Sequence, residues 1–304
     1  MSRLKSTWGI LHRFEKLLGG ESIKFTEVPL VIPPGIDPII WANWNRQLRD
    51  KQQEMAIKGE HLEIRPYDQN SKLNALYNHN GEIKMWPGSV VTLIGVEENT
   101  GKVVIKVAKA SYPYIAAINS PEVDELYSYN LLPKPRPALA VCTFALTSDN
   151  NLTMTVRGER TNVYPSRKYG QGGNPQNPKD DIVKHQMHEM EEEISVEPSD
   201  YDPSGFRFAA VVEDKEEFPG KTDLVGWVPV NLSSEEIARR VKTREKHPND
   251  AVAVAFVPMT PDGLMKHLIE TDPKTYCPPA YAGLVVYGFF ANGVEWMRDL
   301  IKKL

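Results

Sequence analysis

Three of the five residues in Pro133-Lys134-Pro135-Arg136-Pro137 are proline. Proline fixes φ and carries no amide hydrogen, so neither a helix nor a central strand can run through this stretch. Whatever the chain folds into must break here. The sequence therefore divides into an N-terminal region (1–132), a proline-rich linker (133–137) and a C-terminal region (138–304). At 304 residues the chain is longer than one ordinary domain needs, so two packed parts are expected.

Apolar residues make up 41% of the chain and charged residues 25%, as in an ordinary soluble protein. The net charge of -4 supplies no bulk field that would draw the chain to nucleic acid or to anionic lipid. Two cysteines, Cys142 and Cys277, cannot make a disulfide framework. Cys142 lies in an apolar run and reads as a small core residue. No apolar run approaches the roughly 18 residues of a membrane span. The N-terminus lacks the apolar core and cleavage site of a signal peptide. A cytoplasmic protein with no membrane partner is the expectation. No internal repeat or low-complexity tract is present.

Periodicity assigns the elements. In the N-terminal region Trp8, Leu11, Phe14, Leu17 and Leu18 share one helical face, and Gly19-Gly20 ends that helix. Lys24 to Ile32 reads as a strand. Asp37 offers an N-cap, with Pro38 at the first position of a helix from Ile39 to about Lys58. Trp41 and Trp44 on that helix are read as core in preference to a ligand platform. His61 to Tyr67 is a short strand, and Val90 to Val96 with Val103 to Val107 form a hairpin. A helix starts near Glu122. A smaller α+β region results.

In the C-terminal region Ala138 to Thr147 is an apolar strand, Ser148 to Asn151 a turn and Leu152 to Arg157 a second strand. Further strands are expected over 206–213, 223–230 and 251–257, with helices over 233–243, 262–269 and 294–304. The apolar run 282–290 fits a buried strand, although 281–287 also admits a passage from loop to helix.

Between these elements lies the most informative stretch. Glu189, Glu192 and Glu193 stand at i, i+3 and i+4, which on a helix puts three carboxylates on one face. Like charges so spaced repel by a few tenths of a kcal/mol per pair. A divalent cation between them would reverse that, and carboxylate oxygen is the ligand Mg²⁺ and Mn²⁺ prefer. Taken alone, such a run is more often a solvated surface. Gly172-Gly173 upstream, the preceding hairpin and the aliphatic spacing of Met190 and Val196 change the balance.

With those residues in place the segment resembles the Nudix box, a glycine, then a glutamate, then the run R-E-U-x-E-E-x-G-U, where U is bulky and aliphatic. Glu189 matches the glutamate of the R-E pair, Glu192 and Glu193 match the E-E pair, and Met190 and Val196 match the two U positions. The resemblance covers roughly 137–304. Three positions depart from it. His188 replaces the arginine, Ser195 the closing glycine, and Asp180 stands one residue beyond the upstream glutamate's place, which Lys179 holds.

The resemblance implies an α/β/α sandwich around a mixed sheet. It also implies hydrolysis of a nucleoside diphosphate linked to another moiety, with Mg²⁺ or Mn²⁺ as cofactor and often a homodimer. Glu189, Glu192, Glu193 and the Gly172 carbonyl would hold the metal. Glu193, with Glu192, would serve the chemistry, and Glu193 is the first choice of general base. A later acidic cluster, Glu213, Asp214, Glu216, Glu217 and Asp223, offers an alternative base. Arg157 and Arg160 are expected to clamp phosphate oxygens, and Arg167 and Lys168 are weaker candidates. Tyr164, Trp227, Tyr276 and Tyr281 are candidates for stacking a base. His185 shares the face of Glu189, which raises a transition-metal site as a lesser alternative. A second reading of the departures is a Nudix-fold protein that binds nucleotides or regulates without turnover.

Overall fold

Leu139 to Leu146 (LAVCTFAL) is buried along almost its whole length, as a strand covered on both faces must be. The rest of the fold is arranged around it. The structure is a computed structural model that describes residues 8–67, 73–99, 102–132, 134–158, 164–179, 181–215, 218–243 and 251–304. The N-terminal region contains β1 (Trp8–Gly19), β2 (Ile23–Glu27), α1 (Ile36–Ile57), β3 (Leu62–Pro66), β4 (Asn74–Asn78), β5 (Ile83–Met85), β6 (Ser89–Asn99), β7 (Lys102–Ser111), α2 (Tyr112–Ala117) and α3 (Pro121–Tyr129). Beyond the prolines follow β8 (Leu139–Leu146), β9 (Asn151–Val156), β10 (Lys168–Tyr169), β11 (Gln171–Gly173) and α4 (Ile182–Ile194). The chain closes with β12 (Arg207–Asp214), β13 (Thr222–Pro229), α5 (Ser234–Thr243), β14 (Ala253–Pro258), α6 (Pro261–Glu270) and α7 (Pro278–Lys303).

The fold is mixed α/β. Eight strands form the principal sheet in the order β1-β12-β13-β8-β9-β10, with β11 on β8 and β14 on β9. β13 and β8 run parallel and the other pairs antiparallel. Helices cover both faces. Ile182, Met190 and Ile194 of α4 and Ile237 and Val241 of α5 pack on one. Leu264 and Leu268 of α6 and the apolar first half of α7 pack on the other. Alternation along β8 serves both layers, with Val141 facing α4 while Cys142 and Phe144 face α7.

β8 and β9 meet only at Leu146 and Leu152, so their hairpin opens at once. The buried Gln171 side chain fills the gap. Its Oε1 accepts from the Ala145 amide at 3.1 Å, and its Nε2 donates to the Thr153 carbonyl at 3.2 Å. Into this wedge run β10, paired with β9, and β11, paired with β8. That insertion carries Gly172 and Gly173 beneath α4.

Several expectations need correction. Residues 8–19 form an edge strand, not a helix. Register shifts between Ile10 and His12 and between Arg13 and Leu18 insert extra residues. Bulges of this kind erase a period of two and leave spacings that imitate a helix. Because β1 pairs with β12, the boundary at 133–137 does not separate two self-contained parts. The small sheet β2-β7-β6 also shares a core layer with α4, through Val91, Leu93, Ile105 and Val107. Pro133 lies outside the described residues, but the Arg136 amide donates to the Leu93 carbonyl of β6 at 2.9 Å. Arg136 is thus tied to β6 through its backbone.

Other differences are local. α1 begins at Ile36 after Gly35, which adopts φ 80°, so Asp37 lies in the first turn and is not the cap. The run 282–290 is helical, inside α7, whose backbone breaks at Gly293 (φ 82°, ψ -175°). An apolar run buried all round has no periodicity to separate helix from strand. Among the described residues no helix is long and apolar enough to cross a membrane.

Candidate functional site

α4 owes its stability to both ends. Asp181 caps it, accepting from the amides of Val183 at 2.9 Å and Lys184 at 3.2 Å. At the other end Ser195 adopts the left-handed conformation (φ 55°, ψ 38°) that glycine takes up more readily. The Val196 amide then reaches back to the Met190 carbonyl at 3.2 Å, closing the turn. Arg240 of α5 braces this terminus, donating to the Ser195 carbonyl at 3.2 Å and to Asp200 at 2.6 Å. A cation there also complements the negative end of the helix dipole. The sequence hinted at this brace only through the helical register of α5.

The three glutamates do not share one environment. Glu193 accepts a hydrogen bond from the Gly172 amide at 3.3 Å. Glu189, with 19% of its side chain exposed, lies over Gly173, where a Cβ would stand 2.5 Å from its Oε1. Gly172 is pressed on its other side, since a Cβ there would lie 1.8 Å from the Val141 carbonyl oxygen. Glycine is thus required twice, for packing against β8 and for room beneath a carboxylate. Glu192 turns to solvent, 58% exposed, with its carboxylate 3.2 Å from His188 Nε2. His188 therefore answers Glu192 and does not brace the pair over the glycines.

His185 completes the inner side. Its Nε2 is buried, makes no hydrogen bond among the described residues and lies 3.7 Å from Glu189 Oε1. Among the described residues no group of three or more His, Cys, Asp or Glu side chains is gathered as a metal site. The donors that do converge, two carboxylates one helical turn apart beside a glycine strand, suit a hard, oxygen-seeking cation. In an extended strand the amide and carbonyl of one residue leave on the same side. The Gly172 carbonyl is therefore on the side from which its amide reaches Glu193. The residues present fit Mg²⁺ or Mn²⁺ in type, with Glu189, Glu193 and Gly172 as the set and Glu192 outside it.

The remaining candidates scatter. Lys179 is exposed and 4.0 Å from Glu27, and Asp180 lies outside the described residues. Arg160, Glu216 and Glu217 also lie outside them. Glu213 pairs with Arg136 at 2.7 Å. Asp214 and Asp223 are fully buried on the α7 side and accept from the Tyr164 and Tyr169 hydroxyls. Lys221 Nζ adds an ion pair to Asp223 at 2.8 Å. Neither aspartate faces α4, so neither is placed to act as base for chemistry beside Glu193. Burial, then the adjacent aspartates, push both tyrosine phenols far up, which keeps them neutral donors. Tyr164, Trp227, Tyr276 and Tyr281 are all core residues, which corrects their reading as stacking platforms. Arg157 lies over the Tyr169 ring at 5.4 Å, and its Nε is buried.

No family model matches the chain, and no curated protein does. Among solved structures it is similar to the crystal structure of DR0079 from Deinococcus radiodurans, at 18% identity and a TM-score of 0.30, over 44% of this chain and 74% of that one. A likeness of this degree decides neither fold nor function.

Proposed function

We propose that the chain is a Nudix-type hydrolase that cleaves a nucleoside diphosphate linked to another moiety, with Mg²⁺ or Mn²⁺ as cofactor. The observation that carries this reading is the placement of Glu189 and Glu193 against Gly173 and Gly172. One turn of helix separates the two carboxylates, and a glycine strand approaches them more closely than any residue with a Cβ would allow. When bound, the metal neutralises the polyanionic diphosphate and lowers the cost of bringing water to phosphorus. Glu189, Glu193 and the Gly172 carbonyl would hold the metal. Glu193 is the acceptor for the attacking water's proton, oriented by the Gly172 amide. Glu192 supports from the rim. His185 limits how far Glu189 can swing, and Arg240 fixes the end of the helix that carries all three glutamates.

Turnover is tested with a nucleotide sugar, ADP-ribose and a dinucleotide, each with Mg²⁺ and with Mn²⁺. Glu193→Gln should lower kcat/KM by about a hundredfold, or about 2.7 kcal/mol in transition-state stabilisation. Persistent inactivity of the unaltered protein with both metals would reject the enzymatic reading. A second reading would then take its place, a Nudix-fold protein that binds nucleotides without turnover. It is supported by the pairing of Glu192 with His188, which draws the third carboxylate away from the other two.

A further inference from the structure

The aromatic residues on the α7 face are already paired with one another. Tyr164 meets Phe218, Trp227 meets Tyr287 and Tyr276 meets Tyr281. Phe25 of β2 differs from them. Its ring is part-exposed and has no aromatic partner among the described residues. Ile23 and Phe25 belong to the layer shared with α4, so both point from β2 toward that helix.

Between β2 and the start of α4 lies an open cleft of about 540 Å³. Small-molecule sites hold about 300–1,000 Å³. Phe25 forms one wall and Val183 of α4 the other, with Pro203 and Ser204 at one end. The walls are fixed where they meet. Gly20 approaches α4 so closely that a Cβ would stand 2.3 Å from Val183 Cγ2. Valine is stiff at χ1, so this contact does not give way.

The rim carries both signs of charge, Lys24 and Lys179 together with Glu21 and Asp181. Asp181 already caps α4, so the cleft is not an anion seat at a helix end. A phosphate alone would be repelled by the two carboxylates, and an acyl chain would gain nothing from the four charges. A nucleobase suits both features. Its faces stack on an aromatic ring, and its edge presents donors and acceptors together. The position fits as well. Ile182, in the cleft, and Glu189 lie on one line of α4, seven residues and about 10.5 Å apart along the helix axis. A ribose and its phosphates bridge a gap of that order.

We propose that the cleft between β2 and the start of α4 receives the base of a nucleotide, with Phe25 as the stacking ring. The diphosphate of that nucleotide lies two helical turns away, at Glu189 and Glu193. The inference rests on the hydrolase reading for that far end of the ligand and adds the subsite that would choose among substrates. β2 precedes the proline-rich linker, so base recognition falls to the region outside the Nudix resemblance.

The test is titration of metal-free protein with adenosine, guanosine, cytidine and uridine in turn, followed by nuclear magnetic resonance of the protein amides. Ribose 5-phosphate, which has no base, is the control. At least one nucleoside should bind saturably, and the control should leave the same amides unmoved. Phe25→Leu keeps an apolar side chain against the core layer and removes the ring, and it should weaken binding at least about fivefold. Ser204 is exposed, so Ser204→Trp blocks the cleft from its rim and keeps the test meaningful if Phe25→Leu folds poorly. In turnover both variants should raise KM and leave kcat within about twofold, the mark of lost uniform binding. Absence of nucleoside binding, or binding that neither variant weakens, would overturn the base site. Turnover with KM unmoved in both variants would remove the base site alone. Nucleoside binding without turnover would remove the enzymatic reading alone.

Discussion

Asp214 and Asp223, on the α7 side of the sheet, are fully buried, and each accepts from a tyrosine hydroxyl. Asp223 has Lys221 as well, and Asp214 also accepts from the Phe218 amide at 3.0 Å. Glu189 and Glu193, on the α4 side, meet a different kind of surface. Glu193 has a glycine amide, and Glu189 lies over a bare α-carbon with His185 at 3.7 Å. A buried charge that is paired and hydrogen-bonded holds structure and has nothing left to offer a ligand. Carboxylates kept partly open, with room secured by glycine, are what a cation site needs. Number of acidic groups and depth of burial therefore point the wrong way here. The deeper pair is structural, and the shallower pair is the candidate for chemistry.

That contrast can be broken from either side. The largest effect is expected at the buried pair. Asp223→Ala strands Lys221 and the Tyr169 hydroxyl in the core, and should cost about 3 kcal/mol in denaturant unfolding. A loss under about 1 kcal/mol would mean that water already reaches the site. Next comes Gly172→Ala, whose Cβ would meet the Val141 carbonyl oxygen at 1.8 Å. Backbone cannot yield as a side chain can, so about 2 kcal/mol of stability should be lost. Gly173→Ala meets only the mobile end of Glu189, at 2.5 Å. It should leave the unfolding midpoint nearly unchanged while weakening metal binding, and a midpoint that falls as far as that of Gly172→Ala would erase the distinction between the two glycines. The smallest effect is a gain. Ser195→Gly relieves a left-handed serine, and after glycine's greater freedom in the unfolded chain is set against it, about 0.5 kcal/mol should remain.

How much of this was legible in the sequence depends on what each residue reports to. The hairpin β6-β7, the strands β8, β9, β12 and β13 and the helix α4 follow from β-branched runs and helical spacing, which are local signals. β1 was misread because its bulges replace the alternation of a strand, and its pairing partner lies some two hundred residues away at β12. Within the site, Glu189 and Glu193 with the glycine pair were legible as a spacing. The departure of Glu192 was not, because it depends on which rotamer His188 meets on the outer face of the helix. Gln171 carried no signal either, and Arg240 none beyond its place in the helical register of α5. Each acts through a contact with a distant element, the first by wedging β8 from β9 and the second by bracing Ser195. The tyrosines proposed for stacking were misjudged for the same reason, since only the tertiary structure shows that the α7 layer buries them.

The account rests on a cation held by Glu189 and Glu193, with Glu192 outside the set. Calorimetric titration with Mn²⁺ at neutral pH tests this directly, comparing the unaltered protein with Glu189→Gln, Glu192→Gln and Glu193→Gln. Saturable binding by the unaltered protein should weaken at least about tenfold in Glu189→Gln and in Glu193→Gln, a difference of about 1.4 kcal/mol, and by much less in Glu192→Gln. Absence of Mn²⁺ binding, or a loss confined to Glu192→Gln, would contradict it.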